Sequence, residues 1–423
     1  MENLKKYTLS NGLRVVLIPR PQSLATTVLV LVEAGSKYES KKINGVSHFL
    51  EHLCFKGTTK RPSALAISSE LESVGAVSNA FTGHEVTGYY SKVQSQKVDT
   101  VLDIISDLYL NPIFVATEIE KEKGVIIEEI NMRDDDPMQK VGNLFTELLY
   151  GDQPAGWRVS GTKENIRLMT RNDIISYRNQ HYVADATTVI VSGAFNEKRI
   201  LSSIKNLFSG ISNFKKAPKI KVKERQSGPR ALLHHRASDQ THIVLGFRSF
   251  SMFDERKYTL NVLGDILGGG MSSRLFQKVR EELGAAYYVG AGLESFTDHG
   301  FFAVSAGLDN SRAKQVITAI LEELKRISSV QVMAEELRRS KNHLSGKLMI
   351  GLETSDELAE FYGEQAVFHK KFITPKELVK KIEAVTAKDV LRVAREVIKN
   401  KTLNLAMVGP FKDKKEFEHS LKM

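Results

Sequence analysis

TTVLVLVEAGS, residues 26 to 36, returns in the middle of the chain as THIVLGFRSFS, residues 241 to 251. Both are apolar, β-branched runs opened by threonine and closed by small or polar residues, and both read as strands. A second pair shares the interval: SYRNQHYVADATTVIVSGAF, ending at Phe195, and RVAREVIKNKTLNLAMVGPF, ending at Phe411. The spacing is roughly 215 residues in each case, which marks a duplicated unit. Between the markers the order of elements is similar. The first half offers strands near Leu13–Ile18, Thr27–Glu33, Ala76–Phe81, Thr87–Val93 and Thr187–Ser192, and the second near Arg230–His235, His242–Phe247, Ala285–Glu294, Gly300–Gly307 and Thr402–Val408. Helical stretches fall between them, near Val46–Phe55, Ser63–Ser73, Lys97–Leu108, Ala116–Met132 and Met138–Leu149, and again near Ala313–Ser328 and Ala334–Met349. The expected fold is α+β: two homologous α/β halves, each a mostly antiparallel sheet packed with helices. Residues 1–213 form the first half and 231–423 the second. FKKAPKIKVKERQSGPR, residues 214–230, holds seven Lys/Arg, two Pro and no steadily apolar face, and reads as an exposed basic linker.

The 423 residues are 42% hydrophobic and 26% charged, ordinary for globular packing. No apolar run is long enough to span a bilayer, and the opening MENLKKYTLSNGLRVVLI reads as a turn and strand rather than a signal peptide. A single cysteine, Cys54, excludes an internal disulfide framework and fits a reducing compartment. The formal charge of +10 comes from Lys and Arg mixed with acids along the chain, so neither nucleic acid binding nor membrane insertion is expected.

GVSHFLEHLCFKG, residues 45–57, is apolar yet carries two histidines and a glutamate. On a helix, Val46, Phe49, Leu50, Leu53 and Cys54 share one face. His48, Glu51 and His52 fall on the other. Histidines four apart project side by side and can ligate one metal ion, and Glu51 on the same face can reach a water beside it. His-x-x-Glu-His reverses the commoner zinc motif His-Glu-x-x-His. A catalytic zinc takes three protein ligands, and EIEKEKGVIIEEINMRDDDP from Glu118 supplies carboxylates, with Glu122 and Glu129 on one helix face.

Together these patterns resemble the pitrilysin, insulin-degrading enzyme and mitochondrial processing peptidase family of zinc peptidases, in its short two-domain form. The resemblance spans essentially the whole chain. It implies zinc ligation by His48, His52 and Glu129, with Glu128 as the rival to Glu129. It implies Glu51 as general base and Glu122 as the partner of a ligating histidine. GAVSNAFTGHEVTGYY resembles the strand pair at the family's cleft, where Asn79, Ala80 and Phe81 would bind an extended peptide as an added strand. GGGMSSRLFQKVREELGAAYYVGAG resembles the segment whose arginine and tyrosine complete the site, here Arg280 and Tyr287. Gly268–Gly270 reads as a tight turn, since it lacks the Lys-Ser/Thr of a phosphate loop. The counterpart helix TLNVLGDILGGG has no histidine, so one zinc per chain is expected. The implied activity is zinc-dependent endopeptidase, acting on unstructured peptides or presequences in a dimeric chamber. That dimer would be a homodimer or a pairing with an inactive paralogue. A non-catalytic core subunit of the same fold is the alternative. The expected compartment is a bacterial cytoplasm, with a mature organellar chain also fitting.

Overall fold

A computed structural model describes residues 4–369 and 371–422. Residues 1–3, 370 and 423, which the halves read from the sequence include, lie outside the described residues. Two compact units form. Unit 1 comprises the chain up to Ile130 with 158–220 and 350–373, and unit 2 comprises 131–157, 221–349 and the chain from Thr374.

Unit 1 holds a six-stranded sheet of β1 (Lys5–Thr8), β2 (Arg14–Pro19), β3 (Ala25–Val32), β4 (Val77–Thr82), β5 (Thr87–Gln94) and β6 (Thr187–Gly193), in the order β1-β2-β6-β3-β5-β4. Unit 2 holds β7 (Arg230–His235), β8 (Gln240–Ser249), β9 (Ala286–Ser295), β10 (Gly300–Asp309) and β11 (Asn404–Gly409), in the order β7-β11-β8-β10-β9. The second order repeats the first, strand for strand, from β2 onward. Each sheet has one parallel pair, β2 with β6 and β7 with β11, and is otherwise antiparallel.

The helices repeat as well. The first series is α1 (Val46–Cys54), α2 (Ala64–Ser73), α3 (Val98–Leu110), α4 (Ala116–Asp135), α5 (Pro137–Tyr150), α6 (Lys163–Leu168), α7 (Arg171–His181) and α8 (Glu197–Leu207). The second is α9 (Arg256–Gly268), a π-helical turn at Phe276–Glu282 in the place of α2, then α10 (Ala313–Ser329), α11 (Ala334–Ile350), α12 (Ser355–Phe368), α13 (Pro375–Glu383), α14 (Ala387–Val397) and α15 (Lys415–Glu418). The duplication read from the strand markers thus extends through the helices.

The central strands carry continuous apolar runs, such as Val28–Val32 on β3, because both sheet faces are covered. On β3, Val28, Val30 and Val32 pack with Phe49 and Leu53 of α1 and with α3. Leu29 and Leu31 point the other way and join Val16, Ile18 and Ile190 under Leu358, Tyr362 and Ala366 of α12. In unit 2, Ile243, Leu245 and Phe247 of β8 enter the main core. Val244, Ala406 and Val408 on the reverse face are covered by Val141, Phe145 and Leu149 of α5. Each Val, Leu, Ile or Phe among them contributes about 1.5–3 kcal/mol on burial.

Two helices therefore cross the division that the basic linker marks in the sequence. The earlier helix α5 belongs to unit 2 and the later α12 to unit 1. The helix at Ser355–Phe368 is absent from the sequence reading. Its apolar residues say that it covers something, and only the fold says which sheet.

α9 ends at Gly268, Gly269 and Gly270 follow it directly, and these glycines permit close approach. A Cβ on Gly268 would lie 2.2 Å from the Ala291 nitrogen, and one on Gly269 2.1 Å from Asp265 Oδ1. Among the described residues no helix is long and apolar enough to cross a membrane.

Candidate metal centre

α1 is fixed at its start before it presents anything. Gly45 has φ 101°, and a Cβ there would lie 2.8 Å from the Ser160 carbonyl oxygen, so glycine is required by both conformation and space. The buried carboxylate of Glu39 then receives the N–H groups of Gly45 (2.7 Å) and Ser47 (2.8 Å) and the Asn44 amide (2.9 Å). A carboxylate at a helix N-terminus satisfies orphan donors and opposes the positive end of the dipole. Val46, Phe49, Leu50, Leu53 and Cys54 are buried beneath, and Ser47 meets the Tyr177 hydroxyl of α7 at 2.7 Å.

This anchoring aims His48 and His52 at α4. The two imidazole centroids are 4.6 Å apart. Glu129 Oε2 stands 3.4 Å from His48 Nε2 and 3.5 Å from His52 Nε2. A tetrahedral ion bound at about 2.0–2.2 Å needs ligand atoms about 3.3–3.6 Å apart, which those two spacings meet. His48, His52 and Glu129 are the one group of three such donors within reach of each other among the described residues. Glu128, one position away, is exposed on α4 and is not in the group.

Around this group the second carboxylate of α4 does different work. Glu122 is buried, its Oε1 2.8 Å from His52 Nδ1 and its Oε2 2.6 Å from Lys56 Nζ. Such an acceptor fixes the ring orientation and leaves Nε2 to face a metal. Burial disfavours a charged His52. The hydrogen bonds to Glu122 and Glu129 and the charge of Glu51 outweigh it and hold the ring at about 9. The pocket is thus strongly favourable to positive charge. Among the described residues His48 Nδ1 is buried without a partner, and this ring has no equivalent of Glu122 there.

Glu51 accepts a 2.5 Å hydrogen bond on Oε2 from the Thr82 hydroxyl. Thr82 is absent from the sequence-derived site. Its one signal is that it follows Asn79, Ala80 and Phe81 directly. Those three lie on β4, the last strand of the sheet, which among the described residues pairs only with β5 and leaves its outer edge open. Asn79 Oδ1 accepts from the Ala80 N–H at 2.9 Å. Ala80 faces the α1 side of the sheet. The Phe81 ring lies against Gly88, where a Cβ would approach it to 2.5 Å, and packs with the cluster on the α12 side.

Arg280 and Tyr287 belong to unit 2 and are brought together there. Arg280 Nη1 donates to the Tyr287 carbonyl at 2.8 Å, and its guanidinium lies 5.1 Å from the Phe276 ring centre. Tyr287 is 55% exposed on the edge strand β9.

Residues 14–163 match the family described as insulinase, peptidase family M16, and residues 169–344 match the peptidase M16 inactive domain. An uncharacterized zinc protease of Streptomyces coelicolor is 33% identical over 417 residues, covering 97% of this chain and 90% of its own. YmxG of Bacillus subtilis, also called an uncharacterized zinc protease, is 32% identical over 407 residues, covering 96% and 98%. Among solved structures, a protease from Helicobacter pylori superposes with a TM-score of 0.89 at 24% identity, covering 97% of this chain and all (100%) of that one. A structure from Pseudomonas fluorescens described as a peptidase M16 inactive domain gives 0.89 at 15% identity, covering 97% and 99%. These structural likenesses speak for the fold.

Proposed function

The chain belongs to peptidase family M16, and we propose that within it this protein is a zinc-dependent endopeptidase acting on unstructured peptides or presequences. The observation that carries the reading is the donor geometry: a carboxylate oxygen at tetrahedral spacing from each of two imidazole nitrogens, with a second carboxylate, Glu51, on the same helix as the histidines. His48, His52 and Glu129 would hold the ion. Zinc, when bound, supplies Lewis-acid activation of water and of the scissile carbonyl.

The remaining steps fall to the chain's own groups. Glu51 takes the proton of the attacking water and passes it to the leaving amine. The Thr82 hydroxyl orients Glu51 through Oε2. Glu122 keeps the His52 ring turned. The substrate adds to the open edge of β4 as an extended strand, along Asn79, Ala80 and Phe81, which explains a preference for unfolded chains. From unit 2, and in line with the family resemblance, Tyr287 donates to the developing oxyanion and Arg280 holds substrate backbone. In this reading two chains pair, as a homodimer or with an inactive paralogue, and the partner's second half supplies those two groups. The match of residues 169–344 to an inactive domain accords with one metal centre per chain, since α9 carries no histidine.

The test is cleavage of a quenched-fluorescent unstructured peptide, with and without chelator, beside Glu51→Gln. The variant is expected to keep zinc and lose about 10²–10⁴-fold in kcat. Chelator-resistant turnover, or full activity in Glu51→Gln, would sink the mechanism. An inert zinc-loaded wild type would instead favour a non-catalytic core subunit. Light scattering at working concentration decides the dimer.

A further inference from the structure

Most of the basic linker is exposed, but two of its lysines are committed. Lys216 Nζ pairs with Glu33, at the end of β3, and Lys219 Nζ pairs with Glu85. The Glu85 side chain is 4% exposed, and Lys37, fully buried, donates to the same Oε1 at 2.8 Å. Burial pushes the Glu85 carboxyl up, and the two ammonium groups outweigh it and hold it below the usual carboxylate range. An ion pair this dry is screened far less by salt than a surface pair.

Glu85 lies in the turn between β4 and β5. The same turn is gripped by backbone: the Lys37 N–H donates to the His84 carbonyl at 2.8 Å and the Ser36 N–H to the Gly83 carbonyl at 3.2 Å. At the start of this turn stands Thr82, bonded to Glu51. Among the described residues β4 has one neighbouring strand, so the turn that joins the two contributes to its position, along with the packing of Ala80 and Phe81. The other end of the linker is fastened to the matching turn of unit 2, between β9 and β10, where the Val222 N–H donates to Asp298 Oδ2 at 3.0 Å.

We infer that Lys219 is a positioning residue: by clamping Glu85, the linker holds the β4–β5 turn, and so sets the placement of the edge strand that receives the peptide and of the Thr82 hydroxyl on Glu51. The inference rests on the peptidase reading above for its catalytic consequence. Its structural part stands apart from that reading.

The experiment compares full-length, zinc-loaded wild type with Lys219→Met and Lys219→Arg, by steady-state kinetics and by amide hydrogen exchange over residues 77–86. Loss of one hydrogen bond to a buried charge is expected to lower kcat/KM of Lys219→Met about tenfold, chiefly through KM. Exchange should quicken in 77–86, while zinc content and melting temperature stay near wild type. Lys219→Arg should restore both readouts. Unchanged exchange in 77–86, or a Met variant with wild-type KM, would overturn the assignment. If the wild type itself turns over no peptide, the peptidase reading fails, and the exchange comparison still decides the clamp.

Discussion

The pair α1 and α4 and the pair α9 and α11 are the same frame used twice, with opposite outcomes. At one constant interval along the chain, Glu51, Glu122 and Glu129 are matched by Asp265, Glu336 and His343, whereas His48 and His52 are matched by Val262 and Ile266. In unit 1 Glu129 faces two imidazole nitrogens at metal-ligand spacing, and Glu122 holds the far nitrogen of His52. In unit 2 the carboxylates are answered by the protein itself. His343 Nδ1 lies 2.7 Å from Asp265 Oδ1, and Arg274 grips both oxygens of Glu336 at 2.7 Å each. Val262 and Ile266 are 0% and 3% exposed and serve the core. A shared fold supplies the crossing of two helices. The two copies part at two side chains one helical turn apart, and at a third position where unit 2 has His343 bonded to Asp265.

The contrast can be broken from either side. The largest effect is expected for His52→Ala, which should take zinc from about one equivalent per chain to none and abolish turnover, read by elemental analysis of the purified protein. A full zinc complement would remove His52 from the ligand set. The reciprocal change, Val262→His with Ile266→His, places polar rings in a dry core. It is expected to lower stability by about 2–4 kcal/mol, seen as a fall in denaturant midpoint, without adding a second zinc, because His343 is committed to Asp265. A second equivalent of zinc would mean that the frame needs nothing more than donors. Glu122→Gln should weaken zinc binding about 10–100-fold in competition with a chelator, while Glu336→Gln at the matching position leaves zinc affinity unchanged. Smallest is Asp265→Asn. His343 is 44% exposed, so the loss should stay under about 1 kcal/mol and leave activity intact.

The legible parts of this molecule were local ones. His48, Glu51 and His52 announce themselves because helical spacing is a property of a few consecutive residues, and the strands announce themselves by apolar runs between turns. Glu129 became readable only through the family resemblance, because helix spacing alone does not choose between it and Glu128. Glu39, Thr82 and the two linker lysines could not be read in the same way. Glu39 matters because a helix begins several residues later and buries it. Thr82 matters because β4 passes Glu51, a contact between residues 31 positions apart in sequence. Lys216 and Lys219 looked like any solvated charge run until Glu33 and Glu85 were placed beside them. The exchange of α5 and α12 was hidden for a related reason: an apolar helix face records that it is covered, and carries no address.

That exchange has a consequence for how the chain is made. Until the ribosome reaches Leu358, Val16, Ile18, Leu29, Leu31 and Ile190 form one side of a sheet whose cover, Leu358 to Val367, has yet to be synthesised. The nascent first sheet then stays bare on one side until Ser355–Phe368 is made. A gene cut at the basic linker would yield two polypeptides that each lack a wall. Their separate expression should give sticky, chaperone-bound fragments, and mixing them during refolding should be the only way to recover the metal centre.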